Sequence, residues 1–465
     1  MADLPPELLE AIFDSLNSNE LVEMTRVCSH WRAVALDHEN CCRYLTLSLD
    51  SRTSVRSALD SWHKRLKSVR DTAISISLTI LILPYDEEHA HPPPSSLETA
   101  FRAISEIMQL VLRLVVVIHE AIPAKALLTA LCASPAPRLR VFDIAFEACD
   151  FTWSPDLFAR ESPRLDRVNL SDTLPPRLAL DAFGQVRTIC MTRVSGPEII
   201  AALSTAFPGL LALELYYCDL NHSSPPSSWT LRRLYINDLA QSDVAAKLAT
   251  FDTRAIPRIS VATRDELPAI PQPLLIGMDK ARLSMDIFAW TVMLPFDEGE
   301  MLESEVTIAD SHRQYRRDIT SVGLNVYDTL APLAQRLVHL TIAHTAIQQL
   351  TGAPIILQYL ETLTITLRSF TVQNADFFDS TVSPTLTAPG LHLLVLHNGN
   401  GLAPDRERKG TRSVAVDSTQ LARFARALQN DQRHTKLQLC GVQLTGSEES
   451  NRSCLALFAG NETLL

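Results

Sequence analysis

Leu4 to Ala35 reads LPPELLEAIFDSLNSNELVEMTRVCSHWRAVA, and the reading of the whole chain turns on this stretch. Pro5 and Pro6 suit a helix start, because the first backbone N–H groups of a helix have no intrahelical partner for a proline to remove. Leu8, Leu9, Ile12, Phe13 and Leu16 then recur at helical spacing as one apolar stripe, with Glu7, Glu10 and Asp14 almost opposite. Ser18 and Asn19 are placed to cap a second helix carrying Leu21, Val22 and Met24, and Ser29 a third carrying Trp31, Val34 and Leu36. Three helices this short cannot bury so many large side chains among themselves, so apolar surface should remain for a partner. A helical cap whose stripe faces the chain's own core fits the same periodicity.

The spacing Leu4-Pro5, Glu7-Leu8-Leu9, Ile12-Phe13, Leu16, Leu21, Val27-Cys28, Trp31-Arg32 resembles the F-box, which would occupy residues 1–45. The resemblance implies a three-helix module that docks on a Skp-type adaptor and, through it, on a cullin–RING ubiquitin ligase. It implies adaptor-binding roles for Leu4, Pro5, Leu8, Leu9, Ile12, Phe13, Leu16, Val27, Cys28 and Trp31. Some of these hold the helices together and others face the adaptor, and the sequence does not sort them. Asp3, Glu7, Glu10, Asp14, Glu20 and Glu23 all precede the first Lys or Arg, so the partner's rim should tolerate or prefer basic residues.

Tyr44–Leu49 reads as a short extended segment. Val55, Leu59, Trp62, Leu66 and Val69 then mark an amphipathic helix with a basic outer face (Arg56, Lys64, Arg65, Lys67, Arg70). Residues 46–71 would brace the F-box against the downstream chain, or cap the next domain.

From residue 72 to 465 the informative feature is repetition. The pattern L-x-x-L-x-L, with any aliphatic or Phe allowed, occurs at Leu139-Phe142-Ile144, Leu165-Val168-Leu170, Val186-Ile189-Met191, Leu210-Leu213-Leu215, Leu231-Leu234-Ile236 and Ile256-Ile259-Val261. The starts are about 21–26 residues apart, inside the range of leucine-rich repeats. It returns with looser spacing at Ile319-Val322-Leu324, Leu337-Leu340-Ile342, Leu360-Leu363-Ile365 and Leu391-Leu394-Leu396, with Leu437 and Leu439 as a last partial unit. With 46% hydrophobic residues, three given positions are all apolar about a tenth of the time, so the near-constant step carries the inference. Helical patterns lie between units, at Ile199, Ile200, Leu203, Phe207 and at Val244, Leu248, Phe251.

Leu210, Leu213, Leu215, Cys218 and Leu220 together resemble the longer leucine-rich pattern, in which the Asn or Cys bonds backbone groups of the turn after the strand. The expected fold class is therefore α/β: an N-terminal three-helix F-box followed by a degenerate leucine-rich-repeat-like α/β solenoid over residues 72–465. An ordinary α/β domain with a parallel sheet is compatible with the same alternation.

Length and composition narrow the function. A chain of 465 residues exceeds one ordinary compact domain unless it grows by repetition. With 46% hydrophobic and 20% charged residues it is a core-forming protein, and its net charge of −11 argues against nonspecific nucleic-acid binding. No secretory signal is expected. The most apolar stretches, Ile74–Leu83 and Leu110–Ile118, are too short or contain Arg113, so no membrane span is expected. Nine cysteines without a CxxC pair describe neither a disulfide framework nor a zinc site, which fits the cytoplasm or the nucleus.

Candidate chemistry is sparse. Asn398-Gly399-Asn400-Gly401 lacks the third glycine of a dinucleotide loop and reads as a turn. Glu87, Glu88, His89 and His91 sit in the proline-bounded segment Pro84–Ser96, a solvated charge run better than a metal site. Ser223–Ser228, Thr371–Gly390 and Gly399–Ser413 are the other expected loops, the last carrying the basic patch Arg406, Arg408, Lys409 and Arg412. No catalytic residue, metal or cofactor is expected. The reading is a non-catalytic substrate receptor of an SCF-type ligase, with Glu214, Tyr216, Arg233 and Tyr235 as candidate substrate contacts on the strand face. An adaptor-binding scaffold without ubiquitination, or an α/β enzyme with an unseen site, are the rival readings.

Overall fold

The second and third apolar residues of each triplet lie two apart, which puts both on one face of a strand. In the computed structural model of the protein these residues are buried strand residues in each triplet except that of Ile319, whose Leu324 lies outside the described residues. The structure describes residues 4–13, 15–16, 18–24, 26–37, 44–49, 59–60, 62–67, 75–83, 94–119, 121–146, 152–196, 198–220, 229–238, 241–266, 271–275, 281–294, 297–310, 316–322, 325–348, 354–367, 386–398, 414–428 and 435–464. The chain is a mixed α/β protein and divides into two units, Met1–Leu231 and Arg232–Leu465.

The first unit begins with three short helices, α1 (Pro6–Phe13), α2 (Ser18–Met24) and α3 (Ser29–Asp37). Seven parallel strands follow, each paired with the next in chain order: β1 (Tyr44–Leu49), β2 (Ile76–Ile82), β3 (Val111–Ile118), β4 (Val141–Phe146), β5 (Arg167–Ser171), β6 (Thr188–Thr192) and β7 (Ala212–Tyr216). The two most apolar stretches of the sequence are β2 and β3. Residues 59–60 and 62–67 are helical, and Leu59, Trp62 and Leu66 are buried as their spacing required. Val55, Arg56, Val69 and Arg70 lie outside the described residues.

The four triplets from Leu139 to Leu215 fall on β4 to β7, with the first residue just ahead of each strand and all twelve residues buried. A backbone stagger repeats with them. The N–H of Arg140 donates to the Leu112 carbonyl, those of Asp166 and Arg167 to Arg140, those of Arg187 and Thr188 to Asp166, and those of Leu211 and Ala212 to Arg187. Directly after β5, β6 and β7 stand Asp172, Arg193 and Tyr217, with φ of 50°, 53° and 54°. This left-handed corner turns the chain off the sheet. The Asp172 and Arg193 N–H groups reach the last carbonyls of the following strands, Thr192 and Tyr216.

The Cys218 thiol donates to the carbonyls of Met191 and Tyr216, both at 3.4 Å, so the residue that resembled a repeat turn does bond the turn's backbone. Thr173 occupies the same place after β5. Its hydroxyl donates to Ser171 O at 2.8 Å and accepts the Phe146 N–H at 3.0 Å.

The connections are irregular. Helices Pro94–Ile107, Ala121–Cys132 and Ile199–Ala206 lie between some strands, and short 3-10 turns at Leu157–Arg160 and Asp181–Phe183 between others. The expected loop Pro84–Ser96 ends early, because Pro94 starts a helix and a proline is well tolerated there.

In the second unit β8 (Arg233–Asp238) and β9 (Arg258–Glu266) pair in parallel and carry the next two triplets. Helix Gln241–Thr250 lies between them, as Val244 and Leu248 predicted. Then the rhythm breaks. β10 (Ala281–Leu294), β11 (Asp297–Asp310) and β12 (Arg316–Val322) form an antiparallel meander, with β12 running parallel beside β9 and β10 parallel beside β13 (Leu337–Ala343). Of the Ile319 triplet, Ile319 is a buried residue of the meander's last strand and Leu324 lies outside the described residues.

Parallel order resumes through β13, then the short β14 (Ile355–Ile356), and β15 (Thr362–Leu367), β16 (Leu386–Thr387), β17 (Leu393–Asn398), β18 (Val414–Asp417), β19 (Lys436–Cys440), β20 (Val442–Thr445) and β21 (Gly460–Leu464). β13, β15, β17, β19 and β21 make one ladder, while β14 pairs with β16 and β18 with β20. The triplets at Leu337, Leu360 and Leu391 are buried on this ladder, as are Leu437 and Leu439. Asp238 and Lys247 form a buried ion pair between β8 and its helix.

Candidate functional site

Pro5 ends its extended segment by accepting the N–H groups of Leu8 and Leu9 at 3.1 and 3.2 Å, so α1 starts at Pro6. The Trp31 N–H meets the Cys28 thiol at 3.4 Å, so the residue capping α3 is Cys28 and Ser29 is already helical. His30 Nε2 donates to the Leu4 carbonyl at 2.9 Å, tying α3 to the chain's start. The side chains of Ser18 and Asn19 lie outside the described residues.

Leu9, Phe13, Leu21, Trp31 and Ala35 make one buried cluster, with Leu4, Leu16, Met24, Cys28 and Val34 packed partly buried against it. Phe13 and Trp31 meet edge to face with centroids 5.8 Å apart. Leu8, Ile12 and Val27 are not in it: they are 54%, 42% and 55% exposed. The apparent single stripe of α1 is thus two. Leu9 and Phe13 face in, and Leu8 and Ile12, about 100° around the helix, face out. Pro5, one turn before Leu8, is exposed as well. Glu7, Glu10, Glu20 and Glu23 are exposed among these apolar residues, so the surface is apolar and acidic together.

The face of the first unit's sheet that alternates with the buried triplet residues carries a second feature. Arg113 on β3 donates from Nε and Nη2 to Asp143 Oδ2 on β4, at 2.9 and 2.6 Å. Asn169 on β5 donates to the other Asp143 oxygen. Arg167 donates at 2.9 Å both to Asn169 Oδ1 and to Glu214 Oε2 on β7. Cys190 on β6 stands in register between Asn169 and Glu214. Burial, helped by the Glu214 carboxylate, pushes its thiol up to about 11, so it is protonated and unreactive at neutral pH. This strip of paired charges can position a bound surface but supplies no activated group.

Of the four expected contact residues, Glu214 belongs to this strip and Tyr216 is half-buried beside Leu215 on β7, in the first unit. Arg233 is exposed and Tyr235 half-buried, alternating with Leu234 and Ile236 on β8, in the second. Asp143 and Asn169 went unnoticed in the sequence, yet they had a signal: with Cys190 and Glu214 they fill the slot between the second and third apolar residues of consecutive triplets. The patch Arg406, Arg408, Lys409, Arg412 and the cluster Glu87, Glu88, His89, His91 lie outside the described residues.

Among the described residues no group of three or more His, Cys, Asp or Glu side chains is placed to hold a metal, and no helix is long and apolar enough to cross a membrane. Residues 1–43 match the family model described as F-box-like. No curated protein matches the chain.

Proposed function

We propose, from the F-box-like domain at residues 1–43, that this chain is a substrate receptor of an SCF-type ubiquitin ligase. The helices α1–α3 seat on a Skp-type adaptor, and the strand-bearing units hold the protein to be ubiquitinated, as a degenerate leucine-rich-repeat solenoid would. The observation that carries the adaptor half is the outward pair Leu8 and Ile12 on a helix whose core is already filled by Leu9 and Phe13. A helix laid in an apolar groove is read through such i, i+4 anchors.

The receptor does no bond chemistry itself. It raises the effective concentration of the target's lysines near a charged conjugating enzyme. Its place of work is the cytoplasm or the nucleus. Affinity capture with the intact chain and with a chain lacking residues 1–43 tests the reading. Adaptor and cullin should be recovered with the first and lost with the second. Recovery of adaptor without cullin would make the chain a scaffold, and recovery of neither would end the proposal.

A further inference from the structure

The turns that lead into β4, β5, β6 and β7 repeat one geometry. The N–H of each triplet's first residue, Leu139, Leu165, Val186 and Leu210, donates to the carbonyl three residues earlier. The residues just before and just after it form a rim along the starting edge of the sheet, two positions in each of four repeats. Arg138 and Arg164 stand at turn positions, Arg140 and Arg187 at the positions that open the strands, and all four are exposed. The Asp166 N–H donates to the Arg140 carbonyl and the Arg187 N–H to the Asp166 carbonyl. Arg140 and Arg187 are therefore two strand spacings apart, about 10 Å.

Their partners set these arginines apart. Elsewhere in the first unit Arg160 pairs with Asp156, Arg177 with Glu198 and Arg193 with Asp172. Arg138 instead donates to the neutral Ser75 hydroxyl at 3.0 Å, and Arg140, Arg164 and Arg187 meet no carboxylate among the described residues. Asp166 is the one acid at the rim positions, in a chain whose net charge is −11. Guanidinium groups gathered without counter-charges on an acidic protein mark a place for an anionic partner.

We propose that this rim docks an extended acidic segment of the target protein, one whose carboxylates are spaced along its chain. Spaced charges suit the rim better than one concentrated charge. A phosphate is held by guanidinium groups converging on a point, and Asp166, placed between Arg140 and Arg187, would repel a dianion there. In an extended chain alternate side chains lie on one side, about 7 Å apart, so successive carboxylates can reach successive arginines across the strands. As a class of target this rests on the receptor reading, but the rim belongs to the first unit's sheet and its test involves no adaptor.

The test uses the full chain and a short fluorescent peptide of alternating glutamate and serine, titrated by anisotropy at low ionic strength. The variant Arg138→Gln/Arg140→Gln/Arg164→Gln/Arg187→Gln should bind roughly tenfold or more weakly than wild type, since each exposed ion pair is worth up to a few-fold in affinity. The control Arg102→Gln/Lys125→Gln/Arg254→Gln/Arg423→Gln loses the same charge at exposed positions elsewhere and should stay within about twofold. Because a variant could misfold, hydrogen exchange of wild type with and without peptide gives a second reading, with slowing expected at residues 136–140, 162–167 and 184–188. Equal binding by the two variants, or slowed exchange confined to other segments, would overturn the proposal. So would tighter binding of a lysine–serine peptide, of a singly phosphorylated and otherwise neutral peptide, or of a short single-stranded RNA. The titration reads the rim alone, while capture with and without residues 1–43 reads the receptor.

Discussion

Replacing Leu8 and Ile12 together by alanine separates adaptor binding from folding, because both side chains lie on the outside of α1. Leu8 is 54% and Ile12 42% exposed, so about half of each side chain remains to be covered by a partner. Complete burial of such a side chain is worth about 1.5–3 kcal/mol, so the pair offers about 1.5–3 kcal/mol in all. Its loss should weaken adaptor binding by about one to two orders of magnitude. Leu9→Ala is the contrast. That side chain is fully enclosed among Phe13, Leu21, Trp31 and Ala35, and truncation there costs about 2–5 kcal/mol, as much as a module of this size can possess. Leu9→Ala should lose binding and the helical signal together, whereas Leu8→Ala/Ile12→Ala should lose binding alone. Titration calorimetry against a recombinant Skp-type adaptor, with circular dichroism of both variants, makes the comparison. Wild-type affinity in the Leu8→Ala/Ile12→Ala protein would refute the assignment of this face.

Three more outcomes are expected from the packing. Lys247→Met leaves the Asp238 carboxylate buried without its ammonium partner and should destabilise the second unit by about 3–5 kcal/mol in urea, while Asp238→Asn/Lys247→Met should recover most of the loss. Thr173→Val removes the hydroxyl that takes the Phe146 N–H and should lower stability by about 1 kcal/mol, with Thr173→Ser near wild type. Burial raises the Cys190 and Cys454 thiols from 9.0 to about 11, so the folded state holds those protons longer than the unfolded one. Their contribution to stability is complete below pH 9 and is lost as pH rises toward 11, and alkylation of both in the native protein should remain slow until that range.

The strands of the first unit were legible because each triplet is a local pattern: two apolar residues two apart need no knowledge of the rest of the chain. The slot between them, filled by Asp143, Asn169, Cys190 and Glu214, was equally periodic but chemically mixed. Its meaning appears only when register sets Arg113 beside Asp143 and Arg167 beside Glu214. The α1 stripe failed for a related reason. Five apolar residues in nine span too wide an arc for one face, and which part turns inward depends on where Trp31 and Leu21 arrive from elsewhere in the chain. The meander was hidden because Ile319 satisfies the triplet pattern while its strand pairs antiparallel with β11, a partner the pattern does not encode. Pro94 misled as a loop residue, since proline marks a helix's first turn as readily as a break.

The meander also sets the order in which the second unit can assemble. Between β5 and β6 the chain closes about twenty residues, Val168 to Ile189, before the strands meet. Joining β9 to β12 requires Val261 to find Ile319, and joining β10 to β13 requires Leu283 to find Leu340, each a loop of about sixty residues. Each such closure costs about 0.9 kcal/mol more chain entropy than a twenty-residue one. Among the described residues, β8 and β9 connect to the ladder from β13 onward only through both closures. The first unit can grow strand by strand along its sequence, whereas the second must complete a long-range event before its halves belong to one sheet. Refolding followed by pulsed hydrogen exchange should therefore protect β4 to β7 early, and β9 and β13 late and together.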